Sequence, residues 1–120
     1  MTGAVFFQGL ALTLVIELPI YVALLSRFAE VPIGRAVAAA TAVNVVTYTV
    51  FALIIVPFAG RLLEPRAALV VGEVIVCFLE GGMLGFWLRR DPLLIIGACL
   101  LANGCSLAAG LIAVSLFGGG

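Results

Sequence analysis

Apolar residues fill four long stretches of this chain and leave only short polar segments between them. The four stretches cover residues 4–25, 33–56, 67–88 and 93–117. A bilayer core about 30 Å thick takes about 20 residues of helix to cross, and each stretch is long enough. The stretches are continuously apolar, whereas the strands of a membrane barrel alternate. The pattern therefore predicts an all-α integral membrane protein, a bundle of four transmembrane helices forming one domain over residues 1–120.

Prolines and an aspartate between the stretches mark where the helices begin and end. Pro32, Pro65 and Pro92 stand at helix entries, where the missing N–H costs nothing. Asp91 is expected to cap the fourth helix by accepting hydrogen bonds from its free backbone N–H groups. Pro57 and Gly60 are expected to close the second span.

The composition supports a membrane protein and narrows its chemistry. The chain is 65% hydrophobic and 10% charged, whereas about a quarter of the residues of a soluble domain are charged. Six Lys+Arg balance six Asp+Glu, so we expect no nucleic-acid partner. The chain has no His, which removes the commonest metal ligand and the usual general base. With no paired Asp or Ser-based motif either, we expect no enzyme, no catalytic residue and no cofactor other than a bound cation.

The arginines predict the orientation. Loops one and three, with their flanks, carry Arg27, Arg35, Arg89 and Arg90, whereas loop two carries only Arg61 and Arg66. The positive-inside rule then places loops one and three in the cytoplasm. Both termini are predicted on the non-cytoplasmic side.

Each predicted span carries one stripe of polar residues. Residues three or four positions apart share a helix face, as do Thr13, Glu17 and Tyr21 on the first span. Such stripes are expected to face the inside of the bundle, away from lipid. The sequence thus predicts an ion site, a proton site or a polar network that comprises Glu17, Glu80, Glu73, Asn44, Asn103, Thr47 and Ser106.

The glutamates determine what this site can do. Glu17 and Glu80 each lie eight residues before the predicted cytoplasmic end of their span, and Asn44 lies nine residues after Arg35, so all three should share one level. Two facing carboxylates in a membrane would not both ionise without a cation. Oxygen ligands favour H⁺, Na⁺ or a hard divalent ion. Cys77, one turn from Glu80, leaves a softer metal as an alternative.

The two halves of the chain, residues 1–60 and 61–120, repeat a short pattern. Glu17 is followed by Asn44 and Thr47, and Glu80 is followed by Asn103 and Ser106. Duplication of a helix hairpin would give two parallel copies around an axis along the membrane normal. The competing interpretation is a chance match at a few positions.

Two families resemble the chain in part. Its length, four spans and Glu17 resemble the small multidrug transporters, and its size and Asn44 are similar to the small fluoride channels. The further motifs of neither family are evident, so the sequence assigns the chain to neither.

Two functional hypotheses remain. The first is a small transporter or channel whose intramembrane carboxylates bind a cation or a proton. The alternative is a non-catalytic structural or assembly subunit of a larger membrane complex, in which the polar residues form a helix-packing hydrogen-bond network. Small residues on the fourth span, Ala102, Ser106 and Gly110, favour close helix packing. The expected partners are the lipid bilayer and either a second copy of the chain or a larger membrane complex.

Overall fold

Four long helices joined by short loops make up this protein. The computed structural model describes residues 3–117, so Met1, Thr2 and the terminal glycines 118–120 lie outside the described residues. The helices are α1 (Gly3–Phe28), α2 (Ile33–Ala59), α3 (Pro65–Leu88) and α4 (Pro92–Phe117). Residues 3–117 contain no strand. All four helices are long and apolar enough to cross a bilayer, which confirms the predicted all-α bundle of four transmembrane helices.

Helix α2 widens near its end. It is α-helical over Ile33–Val50, forms a π-helical turn over Phe51–Ile55 and returns to α-helix over Val56–Ala59. In the wide turn the Val56 N–H donates to the Phe51 carbonyl, five residues earlier. Pro57 has no N–H to give to the turn before it, and the wide turn directly precedes it. The span was predicted to close at Pro57 and Gly60. The helix ends at Ala59 and Gly60 caps it, which confirms Gly60. The prediction was wrong for Pro57, because this proline lies in the first turn after the wide turn and the helix continues past it.

Acidic side chains cap the starts of α3 and α4. Asp91 Oδ1 accepts a hydrogen bond from Leu93 N at 2.9 Å, which confirms the predicted cap. Glu64 Oε1 likewise accepts a hydrogen bond from Ala67 N at 3.1 Å. Each carboxylate satisfies a backbone donor that the helix leaves free.

Left-handed residues turn the chain after α1 and α3. Glu30 has φ 57° and Arg89 has φ 50°, a conformation that often ends helices. The Arg89 N–H still donates to the Gly85 carbonyl at 3.1 Å. Both turns lie at the same end of the bundle, since α1 and α3 run in the same direction.

The helices pack in a square in which each packs mainly against two neighbours. α1 packs against α2 and α4, and α3 packs against the same two helices. Small buried residues, including Ala36 and Ala40 on α2 and Ala102 on α4, let the backbones approach closely. The outer surface is apolar, with Phe78 78% exposed and Leu93 77% exposed. The long axis of 43 Å matches a bilayer with its headgroup regions, about 40–45 Å, as expected for an integral multi-pass membrane protein.

Candidate functional site

The Glu80 carboxyl lies at the centre of the bundle and contacts the three other helices. It is 1% exposed. Its Oε1 accepts hydrogen bonds from the Tyr21 hydroxyl of α1 at 2.5 Å and from Asn103 Nδ2 of α4 at 2.9 Å. Its Oε2 lies 2.6 Å from Thr47 Oγ1 of α2. We call Glu80, Tyr21, Thr47 and Asn103 the Glu80 network; one carboxyl group thus ties all four helices together.

Thr47 lets this network accommodate either protonation state of Glu80. Its hydroxyl carries a single proton and lies within hydrogen-bond distance of Glu80 Oε2, of the Val43 carbonyl at 2.9 Å and, more weakly, of the Asn44 carbonyl at 3.4 Å. When Glu80 is ionised, Thr47 donates to Glu80. When Glu80 carries a proton on Oε2, Glu80 donates to Thr47 and Thr47 donates to Val43. The heavy atoms can stay in place while the proton is gained or lost.

Tyr21 belongs to the network although it was outside the predicted set. Its side chain is 0% exposed, and its hydroxyl donates to Glu80 and accepts from Asn103 Nδ2 at 3.3 Å. It lies one turn after Glu17 on the polar face of α1. A buried tyrosine usually needs a partner for its hydroxyl, and that requirement is the sequence signal by which Tyr21 could have been included.

Three glutamates share one small cavity beside the network. Glu17 of α1 and Glu73 and Glu80 of α3 line it, with the hydroxyl side chains of Thr13, Thr47 and Tyr48. The cavity volume is about 20 Å³. Roughly 10–15 Å³ is needed to hold one water molecule, so the cavity has room for about one water or one small cation. We call it the carboxyl cavity.

Two carboxyl oxygens of the residues around this cavity lack a partner. Glu17 Oε1 and Glu73 Oε2 are buried and form no hydrogen bond with any residue among 3–117. Buried polar atoms are nearly always satisfied by protein or by water, and inside a membrane an unsatisfied one is costly. These oxygens can therefore receive a water, a proton or a cation.

The protein brings no positive charge to this cavity. Its basic residues are arginines at helix ends and in loops, and none of them lines the carboxyl cavity in the described part of the chain. Three ionised carboxylates so close together in a medium of low dielectric constant would repel one another strongly. The site must keep protons or bind a cation.

The remaining predicted residues, Asn44, Ser106 and Glu73, differ in how they are placed relative to the Glu80 network and the carboxyl cavity. Asn44 is 0% exposed, but its Nδ2 donates to Ala40 O of its own helix at 2.7 Å, and no hydrogen bond in the described chain joins it to Glu80. Ser106 is half-buried on α4 beside the Glu17 carboxyl. Glu73 lines the carboxyl cavity and also an outward crevice of about 140 Å³ between α3 and α4.

The cysteines stand apart from the carboxyl cavity. Cys77, Cys99 and Cys105 are free thiols, and Cys77 lines the outer side of α3 toward α4, not the cavity. Within residues 3–117 no three His, Cys, Asp or Glu side chains are grouped so that they could hold a metal ion. The metal pairing of Cys77 with Glu80 stays a prediction.

No protein-family model, no curated protein and no solved structure matches this chain. What the site can do therefore follows from its own residues.

Proposed function

We propose that this protein is a small membrane transporter or channel in which Glu17, Glu73 and Glu80 bind a proton or a small cation. The observation that carries the proposal is the pair of unpartnered buried oxygens, Glu17 Oε1 and Glu73 Oε2, on residues that line a cavity with room for one water. Ionisable residues inside membrane helices typically mark ion pathways and proton relays. No enzymatic reaction is proposed.

The small size of the cavity favours a proton over a metal ion. A hard divalent ion needs six or more oxygen ligands around it, more than about 20 Å³ can accommodate. A proton needs only one acceptor oxygen and one water to move between carboxyl groups. Na⁺ remains the second candidate, with Thr13 and Thr47 as neutral oxygen ligands.

Each glutamate has its own part in the proposed transfer. Glu73 receives the proton at the boundary between the outward crevice and the carboxyl cavity. Glu17, buried inside, exchanges it through the water in the cavity. Glu80 is held in place by hydrogen bonds to Tyr21, Asn103 and Thr47.

A second copy of the chain would complete the pathway. One chain of 12.4 kDa encloses room for about one water, which is too little for a continuous aqueous path across a bilayer. We therefore propose that the protein works as a homodimer, with loops one and three in the cytoplasm as the arginine distribution predicts.

Proton flux into vesicles tests the proposal. The protein would be reconstituted into proteoliposomes with a pH-sensitive dye inside, and valinomycin with a potassium gradient would impose an inside-negative potential. We expect acidification of the lumen with wild-type protein and its loss with Glu17→Gln and Glu73→Gln. Both changes keep side-chain size and remove the ionisable proton.

Glu30→Gln is the matched control, since Glu30 lies in loop one and is exposed. It should leave the flux unchanged. Flux no greater than in protein-free vesicles, under both proton and Na⁺ gradients, would refute the transport function. Equal flux in wild type and in both cavity variants would exclude the carboxyl cavity as the pathway.

The Glu80 network supports the alternative of a structural or assembly subunit. Its carboxyl is satisfied by donors from three helices, as expected of a group that fixes helix packing. A subunit of this kind would co-purify with a fixed membrane partner, show no flux and tolerate Glu17→Gln.

A further inference from the structure

A wide apolar groove runs along the outside of the bundle between α3 and α4. Its volume is about 700 Å³, within the range of sites that bind ligands of several hundred daltons. We call it the α3–α4 groove; it is lined mainly by apolar residues and glycines, among them Phe78, Gly82, Gly85, Ile96 and Leu100, with Arg90 at one end. It lies on the outer side of α3 and is separate from the carboxyl cavity.

Glycines leave the wall of the groove open. A Cβ atom added at Gly82 or Gly85 would meet nothing within 4 Å, and one at Gly81 would meet only Cys99 Sγ at 3.7 Å. Side chains at these positions would extend into the groove without disturbing the bundle. The shape of the groove therefore depends on the absence of those side chains.

Arg90 places a fixed positive charge at the end of the groove that faces the membrane surface. Its Nε donates to the Ala29 carbonyl at 3.0 Å and its Nη1 donates to the Leu88 carbonyl at 3.1 Å. These bonds hold the guanidinium between loops one and three. Three of its five N–H groups remain to bind an anion, and the exposed Arg89 stands next to it.

We propose that the α3–α4 groove binds an anionic phospholipid, with an acyl chain along the glycine wall and the phosphate at Arg90. The apolar lining matches hydrocarbon, and the guanidinium matches a negatively charged headgroup. Basic pockets between membrane helices on the cytoplasmic side bind anionic headgroups, and Arg90 lies at the end of the bundle that is predicted to be cytoplasmic. The apolar face of a helix from a second copy would fit the groove but would leave the charge of Arg90 without a counterpart.

Native mass spectrometry of the full-length protein tests this site. The protein would be incubated in mild detergent with equal amounts of phosphatidylglycerol and phosphatidylcholine, and the lipid retained per chain would be measured. We expect wild type to retain phosphatidylglycerol preferentially. Gly82→Leu and Gly85→Leu should each reduce the retained lipid about tenfold or more, because each methylene displaced from an apolar site weakens binding about fourfold.

Two controls match these changes. Gly97→Leu adds the same side chain at an exposed position of α4, where a Cβ also meets nothing within 4 Å. Gly97 does not line the groove, so this variant should retain lipid like wild type. Arg35→Gln removes a charge from the same membrane surface, where Arg35 likewise donates to a backbone carbonyl, that of Trp87. Arg90→Gln should abolish the preference for phosphatidylglycerol, whereas Arg35→Gln should keep it.

Several results would overturn the proposal. One is that wild-type protein retains the two lipids equally. Another is that both glycine variants retain as much lipid as wild type. A third is that wild-type protein forms a dimer without bound lipid, and that this dimer dissociates when Gly85 is replaced by Leu. Circular dichroism on each variant checks that the helices persist, and the two glycine variants are independent should one fail to fold. The flux assay does not enter this test, so failure of lipid binding and failure of transport are separate results.

Discussion

Replacing Tyr21 by Phe should destabilise the wild-type protein but stabilise the Glu80→Ala variant. In the wild type the Tyr21 hydroxyl donates to Glu80 at 2.5 Å. Hydrogen bonds between membrane helices are worth about 0.6 kcal/mol on average and up to about 1.7 kcal/mol. Tyr21→Phe removes one short bond of this kind, so the free energy of unfolding should fall by about 1 kcal/mol.

The sign reverses in Glu80→Ala because the other donors of the network have second acceptors. Thr47 still bonds to the Val43 carbonyl, and Asn103 Nδ2 still bonds to the Cys99 carbonyl at 2.9 Å. Among residues 3–117 the Tyr21 hydroxyl donates a hydrogen bond only to Glu80. The neighbouring Cys99 sulfur is a weak acceptor, so loss of Glu80 leaves the buried Tyr21 donor poorly satisfied, at a cost of about 1–3 kcal/mol. Tyr21→Phe removes this cost, so the coupling between the two positions should be about 2–4 kcal/mol.

A double-mutant cycle measures this coupling. The free energy of unfolding would be determined for wild type, both single variants and the double variant by denaturation in mixed micelles, followed by circular dichroism. Tyr48→Phe serves as control, because Tyr48 donates no hydrogen bond to Glu80 in the described structure; its effect should be additive with that of Glu80→Ala. If Tyr21→Phe costs the same in both backgrounds, the reasoning about the Glu80 network is refuted.

Two further predictions concern the packing around the site. Thr47→Val should lower the free energy of unfolding by about 1 kcal/mol. Thr49→Val should leave it nearly unchanged, because the Thr49 hydroxyl bonds only to Val45 O of its own helix at 2.8 Å. Equal effects of the two changes in the same denaturation assay would contradict the role of Thr47. Gly72→Leu should cost about 1–3 kcal/mol by overpacking, since a Cβ there would lie 2.7 Å from Phe51 Cε2 in the wide turn of α2. Gly97→Leu should cost nothing measurable, and a stable Gly72→Leu protein would show that α3 does not pack against this turn as described.

The four membrane helices could be predicted from the sequence because hydrophobic length is a local property. A continuous apolar stretch of about 20 residues has few stable structures in a bilayer other than a helix, whatever surrounds it. The cap at Asp91 was also predictable, since an acidic residue just before proline at a helix start satisfies local backbone donors. The wide turn before Pro57 was not, because its formation depends on how α2 packs against α3 as well as on the proline itself.

The inward direction of the polar stripes also follows from the sequence, since a residue spacing of three or four determines which side chains share a helix face. Which polar groups touch depends on the rotation and depth of each helix, and only tertiary packing determines these. Asn44 and Asn103 hold matching places in the two halves of the sequence, yet Asn103 bonds to Glu80 and Asn44 bonds to its own backbone. The sequence by itself determined the four helices and their polar faces. The tertiary structure decided that Tyr21 completes the Glu80 network and that Glu17, Glu73 and Glu80 meet at one cavity. The reason is that hydrogen bonds and repulsion between carboxyl groups depend on distances of a few ångströms between separate helices.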